Sequence, residues 1–150
     1  MAVKENENIM NLQKLKDNYQ ELSKKYNLPL FTELNKAFDI EDITTETEFL
    51  LRKIRRLILE KVSIYLRFIE MILNPSSTPP FLFKKIKKLE SSDKETFSSL
   101  YEKLGDLEIE TLLLDLHYDE EKEAEFIKKT LELTNKLLAE DLAKIIKKLM

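Results

Sequence analysis

Cysteine is absent from the 150 residues, glycine and histidine occur once each, and proline occurs four times. Each scarcity excludes something. Without cysteine there is no disulfide, thiolate zinc site, iron–sulfur cluster or thiol nucleophile. That composition fits a reducing compartment, so a cytoplasmic location is expected. One glycine supplies neither a phosphate-cradling P-loop nor a dinucleotide-binding fingerprint. Nor does the chain hold the turn residues that a sheet protein of this length needs. With His117 alone, a paired-histidine zinc site and a two-helix Glu-x-x-His di-iron site are both ruled out within one chain. The opening MAVKENENIM lacks the apolar core of a signal peptide. No apolar run reaches the ~18 residues of a membrane span, so no transmembrane segment is expected.

What is abundant is Leu, Lys, Glu and Ile, the composition of an all-α chain with short connections. A chain of this length buries about 70% of its unfolded surface, enough for one core. The expectation is a single helical domain over 1–150, with an irregular hinge at 74–80. Its architecture is a compact bundle of roughly six to eight helices around a long central hydrophobic helix.

That central helix is TETEFLLRKIRRLILEKVSIYLRFIEMIL, residues 45–73. Thr45 and Glu48 form a capping box, and Asn74-Pro75 ends the helix. At 100° per residue, Leu50, Ile54, Leu57, Ile58, Ile64, Tyr65, Phe68 and Ile72 share one face. Leu51, Leu59, Val62, Leu66, Ile69 and Leu73 widen it past half the circumference, which predicts a helix sandwiched between partners. Truncating Phe68 there is expected to cost about 3–5 kcal/mol. Arg55 and Lys61 interrupt the apolar arc. A buried charge is costly alone, so each is expected to pair with a carboxylate or to snorkel at a gap between helices.

Before it, Leu12, Leu15, Tyr19, Leu22 and Tyr26 recur at heptad-like spacing on a helix from Lys4 to Tyr26. Two heptads are too few for a free coiled coil, so this seam docks on the domain or pairs with a second copy. Thr32–Phe38 forms a short helix. Asp39, Glu41, Asp42 and Glu46 do not match EF-hand spacing and read as helix-start acids.

After it, Phe81–Leu89 sets aromatics beside Lys84, Lys85, Lys87 and Lys88. The pattern suits an anionic partner, or a short helix burying Phe83, Ile86 and Leu89. Ser92–Glu95 is a second capping box. It opens a helix that Gly105 is expected to close from a left-handed C′ position, where alanine costs about 1 kcal/mol. A separate helix, Asp106–Leu116, follows, with Leu107, Ile109, Leu112, Leu113 and Leu116 apolar. As a recognition helix it fails, because it offers DNA four acids and no Lys or Arg. Asp119 caps the last helical region. Its seam is Ile127, Leu131, Thr134, Leu138, Leu142, Ile145 and Leu149, with a break near Ala139–Asp141. Asp115, His117, Asp119 and Glu120 lie close together but read as a helix boundary rather than a metal site.

Charge is uneven. Residues 52–88 hold ten Lys/Arg against two Glu, and 89–141 hold six against sixteen acids. No paired carboxylates stand out as an acid/base couple. No catalytic, cofactor-binding or metal residue is assigned, and no cofactor is expected. The expected function is a non-catalytic protein–protein interaction or scaffold module that forms a homodimer. Its interface would use Leu12, Leu15, Tyr19, Leu22, Tyr65, Phe68 and Ile72. One alternative is a nucleic-acid-associated factor using Arg52, Lys53, Arg56, Arg67, Lys84, Lys85, Lys87 and Lys88. A further alternative is a ligand carrier or enzyme with a pocket near Lys61.

Overall fold

The computed structural model describes residues 2–43 and 49–150, with side chains from residue 12 onward. It is all-α, with no strand among the described residues. In chain order the helices are α1 (Ala2–Tyr26), α2 (Phe31–Phe38), α3 (Leu50–Leu73), α4 (Pro80–Ile86), α5 (Ser91–Leu116), α6 (Glu120–Leu133) and α7 (Ala143–Leu149). Short 3₁₀ turns occupy Ile40–Asp42 and Pro75–Ser77, and a π-helical stretch, Thr134–Leu142, joins α6 to α7. The chain divides into two compact units, Met1–Ile58 with Leu114–Leu131, and Leu59–Leu113 with Glu132–Met150.

In the first unit, α1 ends at Asn27, which takes the left-handed conformation (φ 54°) that asparagine tolerates. The turn is pinned by the Tyr19 hydroxyl, which donates to the Pro29 carbonyl, and by an edge-on Tyr19–Phe31 contact at 5.6 Å. Leu15, Tyr19, Leu34, Phe38, Ile40, Leu50, Leu51, Ile54 and Ile58 are buried here, together with Ala124, Phe126 and Ile127 of α6. Asp119 caps α6 as expected, its carboxylate accepting from the Lys122 amide at 3.3 Å. The Thr45 capping box lies outside the described residues.

In the second unit, the later half of α3 buries Val62, Leu66, Ile69 and Ile72. Asn74 Oδ1 then accepts from the Ser76 amide and hydroxyl, and Thr78 donates its hydroxyl to the carbonyls of Met71 and Asn74. The segment 74–80 is thus a hydrogen-bonded turn inside this unit. Leu138, Leu142, Ile145 and Leu149 are buried along the expected seam. No break interrupts the helix near Ala139–Asp141; a π-helical stretch, Thr134–Leu142, carries it onward with looser turns.

Four further expectations are corrected. Gly105 does not end a helix: α5 runs through it for 26 residues, and no glycine has positive φ. The cap of α5 also starts earlier, since Asp93 accepts from the Glu90 amide at 3.0 Å. On α3 the buried stripe is narrower than its composition suggests. Ile64 is 65% exposed, and Tyr65 and Phe68 are only half-buried. Phe68→Ala therefore empties less of the core than a fully buried site would. On α4, Leu82 is the buried side chain, while Phe81 and Phe83 face outward.

Candidate functional surfaces

Arg55 lies in the core of the first unit and is fully buried. Its Nε donates to Glu123 Oε2 and its Nη2 to Asp115 Oδ1, both at 2.5 Å. Glu123 is equally buried. Burial pulls the Arg55 pKa down, but the two carboxylates outweigh it, and the guanidinium is held more firmly protonated than usual. The hydrogen bond from Arg55 chiefly holds the Asp115 carboxyl below its ordinary range.

Around this pair lies a second layer. Arg52 Nε stands 4.0 Å from Glu123 Oε1, and Arg56 Nη2 3.6 Å from Asp115. The Arg52 guanidinium also sits 4.9 Å from the Tyr118 ring centre and 5.8 Å from that of Phe49, at cation–π range. Phe49 holds a left-handed backbone (φ 57°), strained for a bulky residue, while its ring meets Tyr118 edge-on at 4.8 Å. Burial and nearby carboxylates, Glu120 first among them, push the Tyr118 hydroxyl up to about 12. Tyr26 donates to Glu120 Oε1, and Lys25 stands 3.6 Å away. Chemically this is a structural ion cluster. Arg55 Nε and Nη2 are engaged by carboxylates, while Arg52 Nε, Arg55 Nη1 and Glu123 Oε1 are buried without a hydrogen-bond partner, and neither member of the buried pair faces solvent.

The second unit offers a different surface. Along α5 the buried stripe is Phe97, Leu100, Leu104, Leu107 and Thr111, at helical 3- and 4-residue steps. The opposite face carries Ile109, Leu112 and Leu113, which are 62%, 63% and 65% exposed. Tyr101 is also exposed on this side. Glu102 and Asp106 are exposed alongside, and Glu108 accepts from the Ser63 hydroxyl at 2.8 Å. On α4, Phe81 (69% exposed) and Phe83 (48%) stand with exposed Lys84, Lys85, Lys87 and Lys88.

The residues singled out by the sequence fall as follows. Leu15, Tyr19 and Ile72 are buried within their own units, while Leu12, Leu22, Tyr65 and Phe68 are half-buried. Arg52 and Arg56 belong to the Arg55 cluster, and Lys53 is half-buried beside them in sequence. Arg67 and the four lysines of 84–88 are exposed in the second unit. Lys61 is half-buried. Asp115 pairs with Arg55, Asp119 caps α6, Glu120 holds Tyr26, and His117 is exposed. Sequence reasoning passed over Glu123 and the outer face of α5. For Glu123 the signal was its place four residues before Ile127, on the buried seam of α6. For α5 it was the continuous 97–100–104–107–111 stripe, hidden once the helix was divided at Gly105.

The chain matches no protein-family model, no curated protein and no solved structure. Among the described residues no helix is long and apolar enough to cross a membrane.

Proposed function

We propose that this chain is a non-catalytic protein–protein interaction module that self-associates, and that it does so through the outer face of α5. The observation that carries this reading is Ile109, Leu112 and Leu113, three large aliphatic side chains on one helix face, each more than 60% exposed. Single exposed apolar residues are ordinary. A run of them at i, i+3 and i+4, rimmed by charge, is the pattern of a contact surface. The seam of α1 serves this role less well, because Leu15 and Tyr19 are already buried in the fold. The one histidine and the absence of cysteine suit a non-catalytic role in a reducing, cytoplasmic setting.

The test is molar mass by light scattering as concentration rises to ~0.5 mM, the range in which small interfaces associate. The wild type should rise above the 17.8 kDa of one chain. Leu112→Gln, which keeps helix propensity but removes the apolar contact, should stay near it. A wild type that remains a monomer throughout would refute the proposal.

A second reading keeps one observation in its favour. Lys84, Lys85, Lys87 and Lys88 are exposed beside two outward phenylalanines, which suits a nucleic-acid backbone and its bases. Against it, Arg52 and Arg55 face the buried Glu123, and exposed Arg56 already stands 3.6 Å from Asp115. Binding to single-stranded nucleic acid that weakens steeply with salt would support this second reading.

A further inference from the structure

We infer that the occupant of the α5 face is the α4 segment of a second copy of this chain. This rests on the self-association proposed above and names what the partner copy presents. Two α5 faces make poor mates. Parallel, they set Glu102, Asp106 and Glu108 of one copy near the same acids of the other, and like charges across an interface repel; antiparallel and centred on Ile109–Leu113, they leave those acids with no Lys or Arg opposite them. Between residues 102 and 113 the only cation is Lys103.

The α4 segment has the complementary chemistry. Phe81 and Phe83 project outward, and four exposed lysines follow within five residues of Phe83. Two aromatic rings fit a bed of Ile109, Leu112 and Leu113. The lysines then reach the carboxylates of Glu102 and Asp106, which lie one helical turn apart beside that bed. Both elements belong to the same unit, so one folded chain displays an acidic-rimmed apolar face and a basic-rimmed aromatic one. Such a contact is heterologous. It closes into a dimer only where the two copies exchange α4 reciprocally, and otherwise extends head to tail.

Charge exchange in the full chain tests this. One variant reverses α4 (Lys84→Glu, Lys85→Glu, Lys87→Glu, Lys88→Glu), and another reverses the rim of α5 (Glu102→Lys, Asp106→Lys). All six positions are exposed, and thermal unfolding checks that each variant folds. Each variant alone should associate roughly tenfold or more weakly than the wild type, with the salt dependence reduced. An equimolar mixture of the two should recover association. So should a single chain carrying all six changes, although it is more negative overall than the wild type.

Loss in each variant without recovery in the mixture would overturn the inference. Association that ignores the α4 reversal but disappears with Leu112→Gln would also overturn it, while leaving the α5 surface standing. Association that ignores both would overturn the inference and the α5 surface together, while a wild type that stays monomeric would remove the self-association reading itself.

Discussion

At Gly105 a side chain has room. No heavy atom lies within 4 Å of where a Cβ would stand, and the residue is inside a helix without positive φ. Glycine in such a place costs conformational entropy and offers nothing in return. Gly105→Ala should therefore raise stability by about 1 kcal/mol in urea unfolding. A loss would mean that α5 is broken there after all.

Arg55 argues in the other direction. Removing one member of a buried ion pair strands the other, so Arg55→Met should cost about 3–5 kcal/mol. Replacing both Arg55 and Glu123 by methionine should cost less than the sum of the single changes. A double-mutant cycle by urea unfolding reads the coupling directly. Additive losses would contradict the pairing. Acid reports on neighbouring carboxyls. Asp115 is held low chiefly by Arg55, and Asp93 chiefly by the Glu90 amide and then by Lys148. Folded, both bind a proton less readily than in the unfolded chain. As pH falls below the ordinary aspartate value of ~3.9, the unfolded state takes up protons first and stability declines. Asp115→Asn should flatten this acid limb, and unfolding midpoints between neutral pH and pH 3 measure it.

At the scale of elements, the sequence disclosed helices better than their orientation. Proline and asparagine punctuation placed the ends of α1 and α3, and the seam from Ile127 to Leu149 was buried at six of its seven positions, Thr134 being half-buried. Orientation failed where composition is apolar all round. On α3, Ile64 of the expected apolar face is in solvent, while Arg55, expected within the apolar arc to meet a carboxylate, is deep in the core and does so. The missing information was the partner, because Arg55 is tolerable inside only when Glu123, sixty-eight residues away, is inside too. On α5 a single glycine outweighed a regular five-residue stripe in the reading of the sequence. Yet glycine lowers helix stability by only about 1 kcal/mol, which a well-buried stripe readily offsets.

At the scale of the whole molecule, all-α character was legible from the scarcity of turn residues, and the two compact units were not. Their boundaries fall within α3, α5 and α6 rather than at the proline-rich turn of 74–80, so no loop composition marks them. No residue motif made a function legible. The acidic excess that argued against DNA on Asp106–Leu116 is, in the proposed contact, what selects the basic partner.

The outer face of α5 is proposed to be a contact surface in solution. Methyl NMR of the isoleucines and leucines across a dilution series tests it residue by residue. The claim predicts that the methyl signals of Ile109, Leu112 and Leu113 shift together with concentration, while those of buried Leu100 and Leu104 stay fixed. If the three exposed residues hold constant positions up to ~0.5 mM, the face meets no second copy and the claim is contradicted.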